Sequence, residues 1–242
     1  MPDDLYDARV AAAYDSSESD EFQPDVISHT VDLLVEYAGE GRALEFAIGT
    51  GRIGLPLSRR GVDVAAIELS PAMIEQLRAK PGGQAIDVTI GDMATTRVDG
   101  SFSLVYLVYN TITNLLSQDE QVACFQNAAD HLEPGGHFVI EVFVPALQRL
   151  PLGETLVAFD ASDGHGGIDR YDVVNQTLVS RHYFAGDGAV LRLDSPHRYA
   201  FPAEFDLMAK MAGLSLAHRW ANWQRSTFTP ISSSHVSVWV KE

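Results

Sequence analysis

The stretch Leu44-Glu45-Phe46-Ala47-Ile48-Gly49-Thr50-Gly51-Arg52-Ile53-Gly54 decides the fold. Ala43 to Ile48 reads as a short buried strand that runs into a glycine turn and then into a helix beginning near Arg52. Glycines let the backbone take positive φ, and a missing Cβ lets a ligand lie against the main chain at a helix N-terminus with free N–H groups. The G-x-G-x-x-G spacing therefore points to a nucleotide site, although a tight strand-to-helix turn can use the same glycines.

Beyond this turn, Val62 to Ile67 reads as the next parallel strand and Glu68 closes it. An acid at the carboxyl end of that strand is placed to accept both ribose hydroxyls of an adenosine ligand. A nicotinamide enzyme and an S-adenosylmethionine enzyme share this much. Three features favour the second. Glu45 sits inside the first strand, where a carboxylate is costly to bury unless it meets something positive, such as the ammonium of a bound amino acid. About forty residues precede the strand, whereas dinucleotide domains often begin with it. Gly91-Asp92-Met93 follows a third strand, Ala85 to Ile90, and Leu132-Glu133-Pro134-Gly135-Gly136 precedes a fifth, Phe138 to Phe143.

With these motifs in order, Leu44 to Val144 resembles the class I S-adenosylmethionine-dependent methyltransferases. The resemblance implies an α/β fold: a Rossmann-like seven-stranded sheet with helices on both faces, its last strand antiparallel. It implies S-adenosylmethionine held by Glu45, Ala47, Gly49, Gly51, Arg52, Glu68, Leu69, Asp92, Met93 and Tyr109. Asp92 would accept from the adenine amino group and Met93 would offer a backbone N–H. An N-terminal aromatic at the position of Tyr14 would close over donor or substrate, or simply pack at a helix end.

Composition narrows the acceptor. Lys and Arg total 17 against 33 Asp and Glu, a net charge of −16, which repels phosphate backbones and anionic membrane surfaces. Nucleic acid and membrane partners are therefore not expected. The single cysteine, Cys124, excludes an internal disulfide and a multi-thiolate metal site, and no carboxylate cluster suggests another metal. Its apolar neighbours predict a buried, inert thiol. The N-terminus has no basic segment followed by an apolar core, so a cytoplasmic location is expected.

Along the chain, Leu5 to Tyr14 favours a short helix, followed by an acidic, serine-rich loop or lid from Asp15 to Glu21. Pro24 opens a second helix that Gly39 and Gly41 stop, and Ser70-Pro71 caps a third, from Pro71 to about Lys80. A nearly all-apolar fourth strand, Ser103 to Val108, reads as central and buried on both faces. It delivers Tyr109 and Asn110 to the crevice as substrate-side candidates, or as a turn that merely caps the next helix. Ser117 and Glu120 form a capping box for a helix to about Leu132. Glu141, an acid in the apolar fifth strand, either faces the crevice or pairs with an arginine such as Arg149.

From 152 to 201 helical spacing gives way to period-two runs: Thr155 to Phe159, Tyr171 to Val174, Leu178 to Phe184 and Val190 to Tyr199. Gly164 to Gly167 and Asp187-Gly188 mark turns between them. This predicts an inserted antiparallel β-sheet that covers the substrate or contacts a second copy in a homodimer. Residues 1–151 and 202–242 would form the donor-binding core, with 1–41 as N-terminal helices or lid. A helix from Pro202 to about Ala212 and two strands, Leu214 to Ala221 and His235 to Lys241, would complete it. The insertion resembles that of sugar-nucleotide and other small-molecule N-methyltransferases.

Methyl transfer needs alignment and exclusion of water, and a base only where the acceptor must lose a proton. His165, His182 and His197 lie in the insertion, where a surface position is the simpler expectation, and His131 suits a helix C-terminus. No [DN]-P-P-[YF] run and no Pro-Cys nucleophile is present. A small molecule methylated on N or O remains the expected substrate. A protein that binds the donor without transferring its methyl, and a nicotinamide oxidoreductase, are the alternatives.

Overall fold

The computed structural model describes residues 6–16, 20–186 and 189–242. Helices α1 (Ala8–Tyr14) and α2 (Pro24–Ala38) precede β1 (Arg42–Phe46), α3 (Gly54–Arg59), β2 (Asp63–Glu68), α4 (Pro71–Ala79), β3 (Asp87–Ile90) and β4 (Phe102–Leu107). Next come α5 (Gln118–His131), β5 (Leu132–Phe143), and four strands β6 (Leu156–Ser162), β7 (His165–Asp172), β8 (Thr177–Gly186) and β9 (Ala189–Arg198). Helix α6 (Pro202–Met211) and strands β10 (Leu214–Trp220) and β11 (Ser234–Lys241) close the chain.

Seven strands form one sheet in the order β10-β11-β5-β4-β1-β2-β3. β1 to β5 pair in parallel, and β11 runs antiparallel to β5. β4 lies in the middle, and its apolar run is explained by burial on both sides: Phe102, Leu104, Val105, Tyr106 and Leu107 are wholly buried. One face packs Phe125, Phe138, Phe205 and Trp239, with Phe125 and Trp239 edge to face at 5.3 Å. The other packs Leu34, Ile53, Leu57 and Trp223. Local signals start the helices as expected: Ser70 accepts from Met73 N, and Ser117 with Glu120 makes both bonds of the capping box.

The remaining strands, β6 to β9, form a separate antiparallel sheet in sequence order. Two turn assignments are corrected there. Tyr171 to Val174 is not a strand of its own: β7 ends at Asp172, whose carboxylate accepts from Val174 N and Asn175 N and turns the chain. Gly166 and Gly167 belong to β7 and not to a turn. A Cβ on Gly167 would lie 2.2 Å from the Phe159 ring, so glycine makes room for an aromatic packed over the strand. Asp187-Gly188, Leu5 and residues 17–19 of the acidic loop lie outside the described residues.

Two further boundaries move at the glycine loop. β1 stops at Phe46, because Ala47 takes φ +56°, and the helix starts at Gly54, which leaves Arg52 in the turn before it. His131 is buried and neutral and does not serve the helix end as a cation. Its Nδ1–H donates to Asn127 O, its Nε2 accepts from Val98 N, and burial lowers its pKa. Cys124 is wholly buried, which pushes its thiol pKa far up and leaves it inert, as expected.

Candidate active site

Parallel strands end on one edge of the sheet, where turns leave polar groups unspent. Glu68, at the end of β2, is almost fully buried and grips the glycine loop. Its Oε2 accepts from Gly49 N and its Oε1 from Ser70 N, each at 2.8 Å, and the Leu69 N–H also bonds the carboxylate, which still leaves acceptor capacity for a ligand. Burial raises its pKa even so. A cavity beside it is lined by Ala47, Gly49, Ile67, Leu69, Met73, Asp92 and Met93. Asp92 Oδ1 accepts from Ala94 N at 2.7 Å, which leaves Oδ2 for a ligand.

A second pocket adjoins the first through Ala47, Gly49, Tyr14 and Thr111, and brings in Glu45, Arg52 and Tyr109. Glu45 is 2% exposed and accepts from Tyr106 Oη at 3.0 Å across the strand pair. Burial pushes its pKa up to about 8, and among the described residues it has no ion pair. Arg52 donates to Glu21 O at 2.6 Å while its guanidinium lies 5.1 Å from the ring centres of both Phe22 and Tyr109.

Three of the expected residues make contacts that the sequence did not show. The Cβ side of Gly51 faces the core. A Cβ there would lie 2.5 Å from Leu77 Cδ1 and 3.0 Å from Leu55 Cγ, so this glycine seats the loop on α3 and α4. Asn110 is tied into the scaffold: its Oδ1 accepts from Phe143 N at 2.7 Å, although the residue also borders a large cavity against the second sheet. Glu141 does not pair with Arg149 but holds the crevice corner from behind. It accepts from Trp223 Nε1 at 2.6 Å and from Tyr109 N at 3.0 Å. Tyr109 and Asn110 both hold left-handed backbone, φ +58° and +61°, and these bonds from β5 fix that strained corner beside the site.

The N-terminal segment lies over both pockets. Tyr14 touches Tyr6 and Phe22 edge to face at 6.4 and 5.4 Å, and Phe22 continues to Tyr109 at 5.8 Å. Asp15 anchors the segment to the glycine loop, pairing with Lys80 at 2.5 Å and accepting from Thr50 Oγ1 at 2.6 Å. Tyr6 and Phe22 carried no sequence signal beyond being aromatic.

Between this segment and the second sheet lies a cavity of 580 Å³. Its floor is one face of β7, β8 and β9, set by register. Asp169, Ser180 and Ser195 make one cross-strand rank, Gly167, His182 and Leu193 the next, and Tyr171, Leu178 and His197 another. Asp169 accepts from Ser180 Oγ at 2.6 Å, and burial raises its pKa. His197 meets Thr113 Oγ1 through Nδ1 at 3.0 Å, and burial holds its pKa at about 4. His182 and His197 thus line the cavity, against the expectation of surface positions. Period two in Leu178 to Phe184 made the strand legible, but which face meets the core depends on how the sheet docks. Tyr6, Tyr14, Tyr109 and Asn110 supply the opposite wall.

A model of a methyltransferase domain matches residues 43–136. Over 100% of both chains the protein is similar to the CcbJ methyltransferase of Streptomyces caelestis, with 33% identity and a TM-score of 0.88. A dTDP-3-amino-3,4,6-trideoxy-alpha-D-glucopyranose N,N-dimethyltransferase of Streptomyces venezuelae is 33% identical over 117 residues, 47% of this chain and 48% of that protein. The S-adenosylmethionine-bound structure of CalS10, an amino pentose methyltransferase of Micromonospora echinaspora, shares the fold. It covers 96% of each chain with a TM-score of 0.67 at 19% identity.

Proposed function

The chain belongs to the class I S-adenosylmethionine-dependent methyltransferases, and from that premise we propose that it methylates the amino group of a small hydroxylated molecule of the amino-sugar kind. The observation that carries this reading is the 580 Å³ cavity: it borders the Glu68 pocket through Tyr6 and Tyr14, and its floor carries the half-buried Asp169. That carboxylate has no ion pair among the described residues, so an ammonium or several hydroxyls would compensate it. The amino-sugar name borne by a relative fits the same chemistry.

The residues also fit the donor. Glu68 would take the ribose hydroxyls, Asp92 and Met93 the adenine edge, and Glu45, buried with no ion pair among the described residues, the ammonium of the amino-acid end. Around Gly49 a Cβ would meet only Met73 Cε, at 3.7 Å, so the main chain can be approached closely. When bound, the donor supplies an electrophilic methyl carbon on a sulfonium. The chain aligns the acceptor and keeps water out, which is worth roughly 7 to 11 kcal/mol of barrier in well-oriented reactions. Tyr6, Tyr14 and the second sheet close the cavity, and Asp169 positions the amine.

Glu45 gives a measurable proton. With a pKa of about 8 it is protonated at neutral pH in the free protein, and an ammonium placed against it lowers that value. Binding of S-adenosylhomocysteine near pH 7 is therefore expected to release a proton. Calorimetry in buffers of different ionisation enthalpy reads it, and Glu45→Gln should remove it. The same raised pKa means that the folded free protein holds a proton the unfolded chain gives up. Stability is therefore expected to fall as pH rises from the ordinary carboxylate range toward 8.

Asp169→Leu tests the acceptor side. It should leave S-adenosylhomocysteine affinity within about twofold and lower kcat/KM for an amine acceptor roughly 10- to 100-fold, the worth of one charge-assisted bond. Unchanged transfer would move the acceptor elsewhere.

A further inference from the structure

Asp160, His165 and His182 form a hydrogen-bonded chain from the protein surface to the acceptor cavity. Asp160 Oδ2 lies 2.7 Å from His165 Nδ1, and His165 Nε2 lies 3.0 Å from His182 Nδ1. His182 lines the cavity. Phe159 and Phe184 sleeve the pair, with ring centres 5.2 Å from His182 and 4.7 Å from His165 respectively. Gly167, opposite His182 on β7, leaves the space that Phe159 fills.

The outer end of the chain sets the protons along it. Ionised Asp160 can only accept, and its bond from His165 holds its pKa down at about 2. Neutral His165 must therefore carry its proton on Nδ1, which leaves Nε2 as a lone pair. His182 can satisfy that lone pair only with Nδ1–H, so its own Nε2 is bare on the cavity side.

Resting on the amine reading, we propose that His182 Nε2 takes the proton from the acceptor ammonium, with His165 and Asp160 as positioning residues that hold His182 in the accepting tautomer. The ammonium N–H bond breaks and an Nε2–H bond forms. The nitrogen keeps the electron pair that the methyl transfer uses. The imidazolium is stabilised through its Nδ1–H bond to His165, and its proton passes to water when the cavity opens to release product. Other titratable groups on this cavity are Asp169 and His197 from the sheet, Tyr6, Tyr14 and Glu21 from the N-terminal segment, and Tyr109 after β4. Burial lowers the pKa of both His182 and His197, and what separates them is the carboxylate: His197 presents Nδ1 to the hydroxyl of Thr113 and has none behind it.

Asp160→Asn distinguishes a tautomer lock from packing. Asp160 Oδ1 accepts from Ser162 N at 2.8 Å, so an asparagine keeps its oxygen there and turns its NH2 toward His165 Nδ1. The proton of His165 then moves to Nε2, and His182 is forced to the Nε2–H form, a donor to the cavity. Histidine-selective 15N spectra of the S-adenosylhomocysteine-saturated protein should show an unprotonated His182 Nε2 in the parent and a protonated one in the variant. With labelled donor and a mixture of amino sugars as probe, the variant should be roughly 10- to 100-fold slower near pH 6.5 and within about threefold near pH 9.5, where amines arrive deprotonated. A protonated His182 Nε2 in the parent, or a variant with unchanged tautomers, overturns the proposal. So does a rate loss equal at both pH values. The spectra decide the tautomer lock even if the mixture contains no acceptor, so this inference and the amine reading fail separately.

Discussion

Glu68→Ala is expected to weaken S-adenosylhomocysteine binding by about 100-fold. Two charge-assisted bonds to ribose are at stake, each worth roughly 1.5 to 3 kcal/mol before water partly replaces them, and 1.4 kcal/mol is tenfold in Kd. The structure adds a second cost. The same carboxylate accepts from Gly49 N and Ser70 N, so its loss also frees the glycine loop from the end of β2. Glu68→Gln separates the two contributions, because its amide nitrogen cannot accept from one of those N–H groups while its oxygen still serves the other. An intermediate loss, roughly tenfold, is expected for it. Titration calorimetry reads both variants, and a Kd for Glu68→Ala within twofold of the parent would remove the ribose from this position.

Gly51→Val is expected to cost stability and to spare donor affinity in whatever fraction folds. Gly51 has φ +80°, a region that a β-branched residue reaches only with strain of roughly 1 to 3 kcal/mol. Its new Cβ would press on Leu77 and Leu55, side chains of a packed core where overfilling costs roughly 1 to 3 kcal/mol more. At about 2 to 4 °C per kcal/mol for a chain of this size, a fall in Tm on the order of 10 °C is the expected result. Gly49→Ala makes the contrast. Its Cβ meets open space beside Met73, so a smaller loss of stability and a larger loss of donor affinity are expected there. A Gly51→Val protein that melts like the parent but no longer binds S-adenosylhomocysteine would reverse this assignment.

The two glycines show where sequence reading stopped. Strand, turn, helix and the acid closing the next strand are local patterns, and Leu44 to Glu68 displayed them all. Which side chain stands opposite a given Cα is not local. Leu77 comes to Gly51 from another helix, and Trp223 comes to Glu141 from 82 positions along the chain. An acid in an apolar strand was legible as needing a partner; the partner's identity was not. Val173 and Val174 misled in a different way. β-Branched residues favour strands, yet both are exposed, at 61% and 87%, in a turn organised by Asp172 and Asn175. The asparagine three places after the aspartate was the better signal. His182 and His197 alternate with their neighbours as strand residues should, but only the docking of the second sheet against Tyr6 and Tyr14 makes their face a cavity floor.

Methyl transfer to an amine is the decisive measurement. The protein is incubated with S-adenosylmethionine deuterated at the methyl group and an amine-rich small-molecule pool, and products are read by mass. A labelled methyl on the nitrogen of a hydroxylated amine, formed in step with S-adenosylhomocysteine and roughly 10- to 100-fold more slowly in Asp169→Leu, is the predicted result. Tight donor binding with label in no amine, or label on an acceptor whose turnover ignores Asp169, would contradict it.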